Sequence, residues 1–578
     1  MKWLLLAILA PVGGAATLHV EQDGIKYLGF DRNGLDVFSG IPYAQDTGGC
    51  NRFKPPRPVV HEPGTTIDAT RPGIACPQQY GQWYAPLTLA NITAFSEDCL
   101  NLNIVRPANP SSLLGVPLPV LVWIHGGSFW VGSNNEPTHV PDGLVLKSIK
   151  DGAPIIHVAI NYRLGFFGFA QSESLKEEGS GNAGLRDQRL AIEWVRDHIA
   201  AFGGNPDKIT IHGQSSGGLA VGLQLLAYGG TKPLPYQRGI CQSQALEPGI
   251  TGNFTKNAMT SLVDHVGCNT TSLHSPETIA CLRNLDTYTL MNASLATYTG
   301  DIDHNIGDIW LPTVDGDFLP APPSQLIDEG RFGNATYMFG WADGDLNFYT
   351  DVSIETDADT NRFIASYLPR LPGFVRESLL AMYPVQDFEP PPGTNLTAEF
   401  YRAARVFRDI LMVCEPVYLA EAMHKRNNHV YMYDFNQTML DPILESLYNI
   451  SHLGVVHTSE FAYIFGNLSH YNVSGYPFNP TRPDYDLAGR APSWWIDFVW
   501  FASPSEYGID SWRESFFSNT HEYSAPRAGY TYAMVIGGSR EGYTAFDGPD
   551  STEEMRVQQL RERCAFINSA DFIKYAGF

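Results

Sequence analysis

The segment Lys208-Ile-Thr-Ile-His-Gly-Gln-Ser-Ser-Gly-Gly218 decides how this chain is to be read. Ile209 to His212 form a short β-branched run with the character of a buried strand. Gly213-Gln214-Ser215-Ser216-Gly217 then follows the pattern G-x-S-x-G, and Leu219 to Tyr228 continue at helical spacing until Gly229-Gly230. Strand, sharp turn and helix, in that order, are the setting in which this pattern builds a nucleophile elbow. The glycines let the backbone fold back closely on itself and leave the Ser215 hydroxyl standing free. The helix that follows turns its N-terminus to the same place, where the Ser216 amide can bind a developing oxyanion. In a chain with 54 glycines the bare pattern also fits an ordinary strand-to-helix turn, and the flanking strand and helix are what favour the elbow.

Upstream, Leu18 to Glu21, Ile25 to Phe30 and Leu35 to Phe38 read as short strands joined at Asp23-Gly24 and Asn33-Gly34, an antiparallel start. Pro119-Val-Leu-Val-Trp-Ile-His125 and Ile155 to Asn161 read as buried strands. A helix with Leu185, Leu190, Ile192, Trp194, Val195 and Ile199 on its apolar face precedes the elbow strand. Downstream, Tyr337 to Trp341 and His429 to Phe435 are candidate strands; Arg402 to Met423, Ser493 to Ala502 and Glu553 to Phe566 are candidate helices. Alternating strands and helices predict an α/β fold with a large, mostly parallel central sheet covered by helices on both faces. Without a repeat, a low-complexity linker or a compositional break, residues 17–578 read as one domain with long insertions.

Met1-Lys2, the apolar run Trp3 to Val12 and the small residues Gly13 to Ala16 read as a secretory signal peptide spanning 1–16. That run is too short for a membrane anchor, and no later stretch has the length and apolarity of a span. Ten N-x-S/T sequons, at Asn91, Asn253, Asn269, Asn292, Asn334, Asn395, Asn436, Asn449, Asn467 and Asn472, fit an extracellular glycoprotein. The balance of 38 basic against 61 acidic residues, a net charge of −23, argues against nucleic acid and anionic membranes as partners. No C-x-x-C or H-E-x-x-H occurs, which argues against a metal site.

Attack on an ester carbonyl needs a nucleophile, a base, a carboxylate to orient that base, and donors for the oxyanion. His125-Gly126-Gly127-Ser128 closes a strand ahead of the nucleophile, in the place of the second oxyanion donors of such sites. Among 16 histidines, His457 in Gly454-Val-Val-His-Thr-Ser-Glu460 stands out, with a loop before it and a helix-like segment after it. Among the carboxylates, Asp343 or Asp345 in Trp341-Ala-Asp-Gly-Asp345 lies just beyond a predicted strand, and spacing alone does not choose between them.

Taken together these segments resemble the type-B carboxylesterase family, which includes cholinesterases and fungal lipases, and specifically a secreted fungal-type member. The resemblance runs from Gly40-Ile-Pro-Tyr-Ala to the C-terminal helix. It is carried by Ser96-Glu-Asp-Cys-Leu-Asn-Leu-Asn103, Asn161-Tyr-Arg-Leu-Gly-Phe166, Asn182-Ala-Gly-Leu-Arg-Asp-Gln188, Phe202-Gly-Gly-Asn-Pro206 and the elbow. It implies an α/β-hydrolase fold and a cofactor-free serine esterase acting on small-molecule or lipid esters. By resemblance Ser215 is the nucleophile, His457 the base, and Gly127, Ser128 and Ser216 the oxyanion donors. The family's Asp-Glu-Gly falls on Ala342-Asp343-Gly344, which makes Asp343 the expected acid and Asp345 the fallback. Gln214 stands where the family commonly has Glu, and Ser216 where it commonly has Ala. The resemblance also pairs Cys76 with Cys99, Cys268 with Cys281 and Cys414 with Cys564, leaving Cys50 and Cys241 as buried free thiols. Leu89 occupies the place of the cholinesterase tryptophan, with Trp83 six positions earlier, so a neutral apolar or aromatic ester is expected rather than choline. The alternatives are a lipase or sterol esterase, a cholinesterase, and a non-catalytic adhesion homologue.

Overall fold

A computed structural model describes residues 18–82, 84–244, 254–305, 309–473, 475–505, 512–517 and 526–578. The signal segment 1–16, Trp83 and the sequon at Asn253 lie outside these residues.

The frame is an eleven-stranded sheet. Its strands in chain order are β1 (Phe30–Arg32), β2 (Leu35–Pro42), β3 (Asn101–Pro107), β4 (Leu118–Ile124), β5 (Ile156–Ile160) and β6 (Gly204–Gln214). They continue with β7 (Arg238–Gln242), β8 (Thr336–Ala342), β9 (Val430–Phe435), β10 (Tyr532–Ile536) and β11 (Gly542–Ala545). The spatial order is β11-β10-β9-β8-β7-β6-β4-β5-β3-β2-β1. Strands β4 to β10 run parallel, while β1–β3 at one edge and β11 at the other pair antiparallel. The parallel strands β4, β5 and β9 are buried along their whole length, as helices on both faces require. A separate three-stranded sheet, His19–Gln22, Ile25–Leu28 and Thr66–Asp68, opens the described chain.

The elements that position the site follow from their sequences. Helix α1 (Ala183–His198) ends in a short 3-10 turn at Gly203, whose φ of +86° needs glycine. Helix α2 (Ser216–Leu226) is buried on every side, which its nearly uniform apolarity allows. The predicted helix over 402–423 is a composite: α3 (Ala398–Arg408), a π-helical turn Asp409–Val413, and α4 (Cys414–Lys425). Helix α5 (Arg482–Phe501) starts eleven residues before the expected Ser493, because Thr481 and Asp484 form a reciprocal N-terminal cap there. The C-terminal helix is broken into α6 (Glu553–Val557) and α7 (Leu560–Ile567), with Gln559 in a left-handed conformation between them.

Disulfides join Cys76 to Cys99, Cys268 to Cys281, and Cys414 to Cys564, the last tying α7 to α4. Cys241 is a buried free thiol as expected, but Cys50 is exposed, on a 3-10 turn with no buried residue.

Candidate active site

Strand β4 lies between β5 and β6, so the chain reverses its direction of travel across the sheet there. The carboxyl ends of β4 and β6 flank that switch point, where open α/β sheets leave a crevice for ligands. Gly126, Gly127 and Ser128 follow β4 and Ser215 follows β6, and all four line one cavity.

Ser215 has φ +59° and ψ −129°, a strained conformation for a residue with a side chain. The chain tolerates it because its neighbours are glycines in close contact. A Cβ on Gly213 would lie 2.3 Å from the Gly217 carbonyl oxygen, and one on Gly217 would lie 2.2 Å from that of Ile124. The Ser215 N–H donates to the Gln242 carbonyl (2.9 Å), and its own carbonyl accepts from Leu219 in α2 (2.8 Å). The neighbouring loop is held open by Gly127 (φ +107°), Ser128 (φ +56°) and Phe129 (φ +54°). The Ser216 hydroxyl ties the two loops together by accepting from the Phe129 N–H at 3.1 Å.

His457 is brought to the cavity by a loop beyond β9, and Tyr349 meets its ring edge-on at 5.7 Å. Its Nδ1 lies 2.5 Å from Asp345 Oδ1, and its backbone N–H donates to the Asp345 carbonyl at 3.1 Å. The side chains of His457 and Asp345 are 3% and 0% exposed. Asp345 Oδ2 is satisfied by the Ala342 N–H (2.9 Å), which fixes the carboxylate plane.

Asp343, the acid expected from the sequence, is therefore not the partner of His457. Its N–H continues the ladder of β8 onto Phe435 (3.0 Å), and its carboxylate faces α3, where Arg405 (3.2 Å) and Arg408 (3.5 Å) reach it. Arg408 also donates to the Asp343 carbonyl at 2.9 Å. A tight turn, closed by the Asp345 N–H on the Ala342 carbonyl (3.2 Å), separates the two carboxylates. The chain thus needs two more residues to face His457 than the glycine in the family pattern suggests.

Four side chains to which the sequence assigns no role complete the surroundings. The amide of Gln214 lies 2.9 Å from His457 Nε2. Glu460 is buried beside Asp345, accepts from Gln242 Nε2 (2.9 Å), and has its carboxyl raised to about 7 by burial and then by Asp345. Glu136 accepts from the N–H groups of Leu89 (2.8 Å), Ala90 (2.8 Å) and Thr138 (3.1 Å), pinning the Cys76–Cys99 loop above the cavity. Gln78 fastens the same loop to Gly132 through both ends of its amide, at 2.8 and 2.9 Å. Gln214 and Glu460 carry a sequence signal, their places in the elbow and in the histidine motif, while Glu136 and Gln78 carry none. Burial lowers the pKa values of His125, which lines the cavity, of His157 on β5 and of His212 on β6 to about 4, 3 and 3.

Residues 23–530 match the carboxylesterase family. A secreted lipase of Arthroderma benhamiae is 46% identical, over 100% of this chain and 99% of that protein. An inactive carboxylesterase-like protein of Byssochlamys spectabilis is 32% identical, over 94% of this chain and 93% of that one. The crystal structure of Aspergillus niger EstA, at 23% identity, superposes with a TM-score of 0.75 over 97% of this chain and 99% of that one, which bears on the fold alone. Among the described residues no helix is long and apolar enough to cross a membrane. With the family matched over most of its length and the fold of an α/β-hydrolase, this chain belongs to the carboxylesterase family and is a carboxylic ester hydrolase.

Proposed function

We propose that the protein is a secreted serine esterase in which Ser215 is the nucleophile, His457 the base and Asp345 the orienting acid. The observation that carries this reading is the buried Asp345–His457 pair on the cavity that also exposes Ser215. His457 takes the Ser215 hydroxyl proton as the oxygen attacks the ester carbon, and the amides of Gly127, Ser128 and Ser216 bind the oxyanion. Collapse expels the alcohol with the proton from His457 and leaves an acyl-enzyme. Water, giving its proton to the same nitrogen, releases the acid and restores Ser215. No step calls for a cofactor. The leader-like residues 1–16, the sequons and the three disulfides support secretion.

The cavity favours neutral esters with apolar or aromatic arms. Tyr84, Leu87, Ile92, Val131, Tyr349 and Phe461 line it. Glu136, a carboxylate in that lining, has its oxygens engaged by three backbone N–H groups and is not presented to a cation. Lipase action is the second reading, favoured by the secreted lipase relative. A non-catalytic role is disfavoured by the assembled residues, although one relative is named inactive.

Ser215→Ala tests the reading. Loss of roughly 10³-fold or more in kcat is expected, with loss of covalent labelling by a fluorophosphonate and an unchanged melting temperature. Turnover retained in a clean preparation would overturn it.

A further inference from the structure

The contact between Gln214 and His457 has a mechanistic consequence. Asp345 holds the proton of His457 on Nδ1, so Nε2 presents a bare lone pair in the ring plane. A group 2.9 Å from that lone pair must be a donor, which places the –NH₂ end of the Gln214 amide there. One in-plane lone pair serves one donor at a time, and Ser215 must use the same lone pair to be activated. Among the described residues the Ser215 hydroxyl makes no hydrogen bond, to His457 or elsewhere. Gln214 is 2% exposed and lines the cavity itself. The chain leaves room for its amide by having glycine beside it: a Cβ on Gly126 would come within 3.2 Å of Gln214 Oε1.

We infer that Gln214 is a positioning residue that caps the proton-accepting nitrogen of His457 in the free enzyme and must yield it to Ser215 when an ester binds. The inference rests on the triad reading above. The displaced amide keeps a donor pointing into the cavity, so esters offering it a carbonyl or ether oxygen relieve the cap best. The Glu common at this position in the family has no proton to give to a bare lone pair when ionised. It pairs instead with the protonated ring. The change from Glu to Gln therefore reverses which state of His457 the neighbour stabilises.

The test is the second-order rate of Ser215 labelling by a small dialkyl fluorophosphate across about pH 4 to 9, for wild type, Gln214→Met and Gln214→Glu. Removing one hydrogen bond from the resting state should speed labelling of the Met variant by about two- to tenfold. The Glu variant should move the acid limb of the profile upward by about one pH unit, through a new charge beside the imidazole. A side chain that merely packs would shift neither. A Met variant that labels no faster than wild type, at an unchanged melting temperature, overturns the inference. If that variant does not fold, the Glu limb decides, and an unmoved limb overturns it. Failure of wild type itself to be labelled would instead sink the triad reading.

Discussion

The turn after β6 and the turn after β8 each present a side chain to the same cavity, yet they are built on opposite terms. In the first, contact distances dictate residue type: Gly213 and Gly217 stand where any Cβ would strike a carbonyl oxygen. The glycines are thus a direct record of the geometry. In the second, neither Asp343 nor Asp345 is forced by its own backbone. Which carboxylate turns inward is settled by Arg405 and Arg408, from a helix far along the chain, which draw Asp343 away. Steric constraint is written locally; electrostatic choice between two like residues is not.

The sharpest way to break this comparison is to neutralise the two aspartates separately. Asp345→Asn should cost roughly 10³- to 10⁴-fold in kcat, because an amide can force the wrong imidazole tautomer. Asp343→Asn should cost less than about tenfold, because a partly exposed carboxylate held by arginines orients the turn and not the ring. Steady-state kinetics on both variants decide it, and a larger loss for Asp343 would restore the acid expected from the sequence. Next comes Arg408→Met. Arg408 is 1% exposed and its partner Asp409 is fully buried, so removing the cation strands a buried charge. A loss of about 3–5 kcal/mol in denaturant unfolding is expected, and a loss below about 1 kcal/mol would show that the buried Asp409 does not depend on Arg408 for its charge.

The same distinction explains what the sequence disclosed. The sheet, the elbow, His457 and the three disulfide pairs were legible, because buried β-branched runs, forced glycines and family spacing each act locally. Aligning on Gly344 points to Asp343, whereas the carboxylate that lies against His457 is Asp345, on the far side of the turn that holds Gly344. Position 214 shows in the sequence only that Gln replaces the common Glu; its donor role depends on the 2.9 Å contact with His457, 243 residues away. Cys50 has no assignable partner in the sequence, and that says nothing of its burial. The split of the C-terminal helix at Gln558-Gln559 carries no glycine or proline to announce it. Gln558 is held instead by tertiary bonds to Asp434 (2.8 Å) and Arg408 (3.0 Å).

A smaller effect is expected from Ser216→Ala, which keeps the backbone amide of the elbow but removes the hydroxyl that accepts from Phe129. The unpartnered N–H loosens the loop carrying Gly127 and Ser128, and kcat should fall about two- to tenfold with KM little changed. Wild-type kinetics in this variant would mean that the Gly127–Phe129 loop holds its shape unaided.

The smallest effect separates the two regions by pH. Beneath the elbow, His212 packs edge-on against Trp123, faces His157, and bonds through Nε2 to Gln242 Oε1. Burial lowers its pKa to about 3. Between about pH 6.5 and 3 the unfolded chain binds a proton there that the folded chain refuses. That contribution is complete above the ordinary imidazole range and is lost as pH falls. Beside the acid turn, Glu460 faces Asp345, His457 and Gln242, with its carboxyl raised to about 7. Between about pH 4.5 and 7 the folded chain keeps a proton that the unfolded chain releases, so this contribution is complete in acid and lost as pH rises. His212→Gln, which retains a donor for Gln242, should therefore flatten the fall in thermal midpoint from about pH 4.5 to 3, below the window of Glu460. Glu460→Gln should flatten the fall from about pH 6.5 to 7, above the window of His212. Between about pH 4.5 and 6.5 the two contributions run in opposite directions, so each variant is read on the limb where the other group no longer titrates. If both variants flattened the same limb, His212, Gln242 and Glu460 would be titrating as one unit, and the two turns would share a single electrostatic floor.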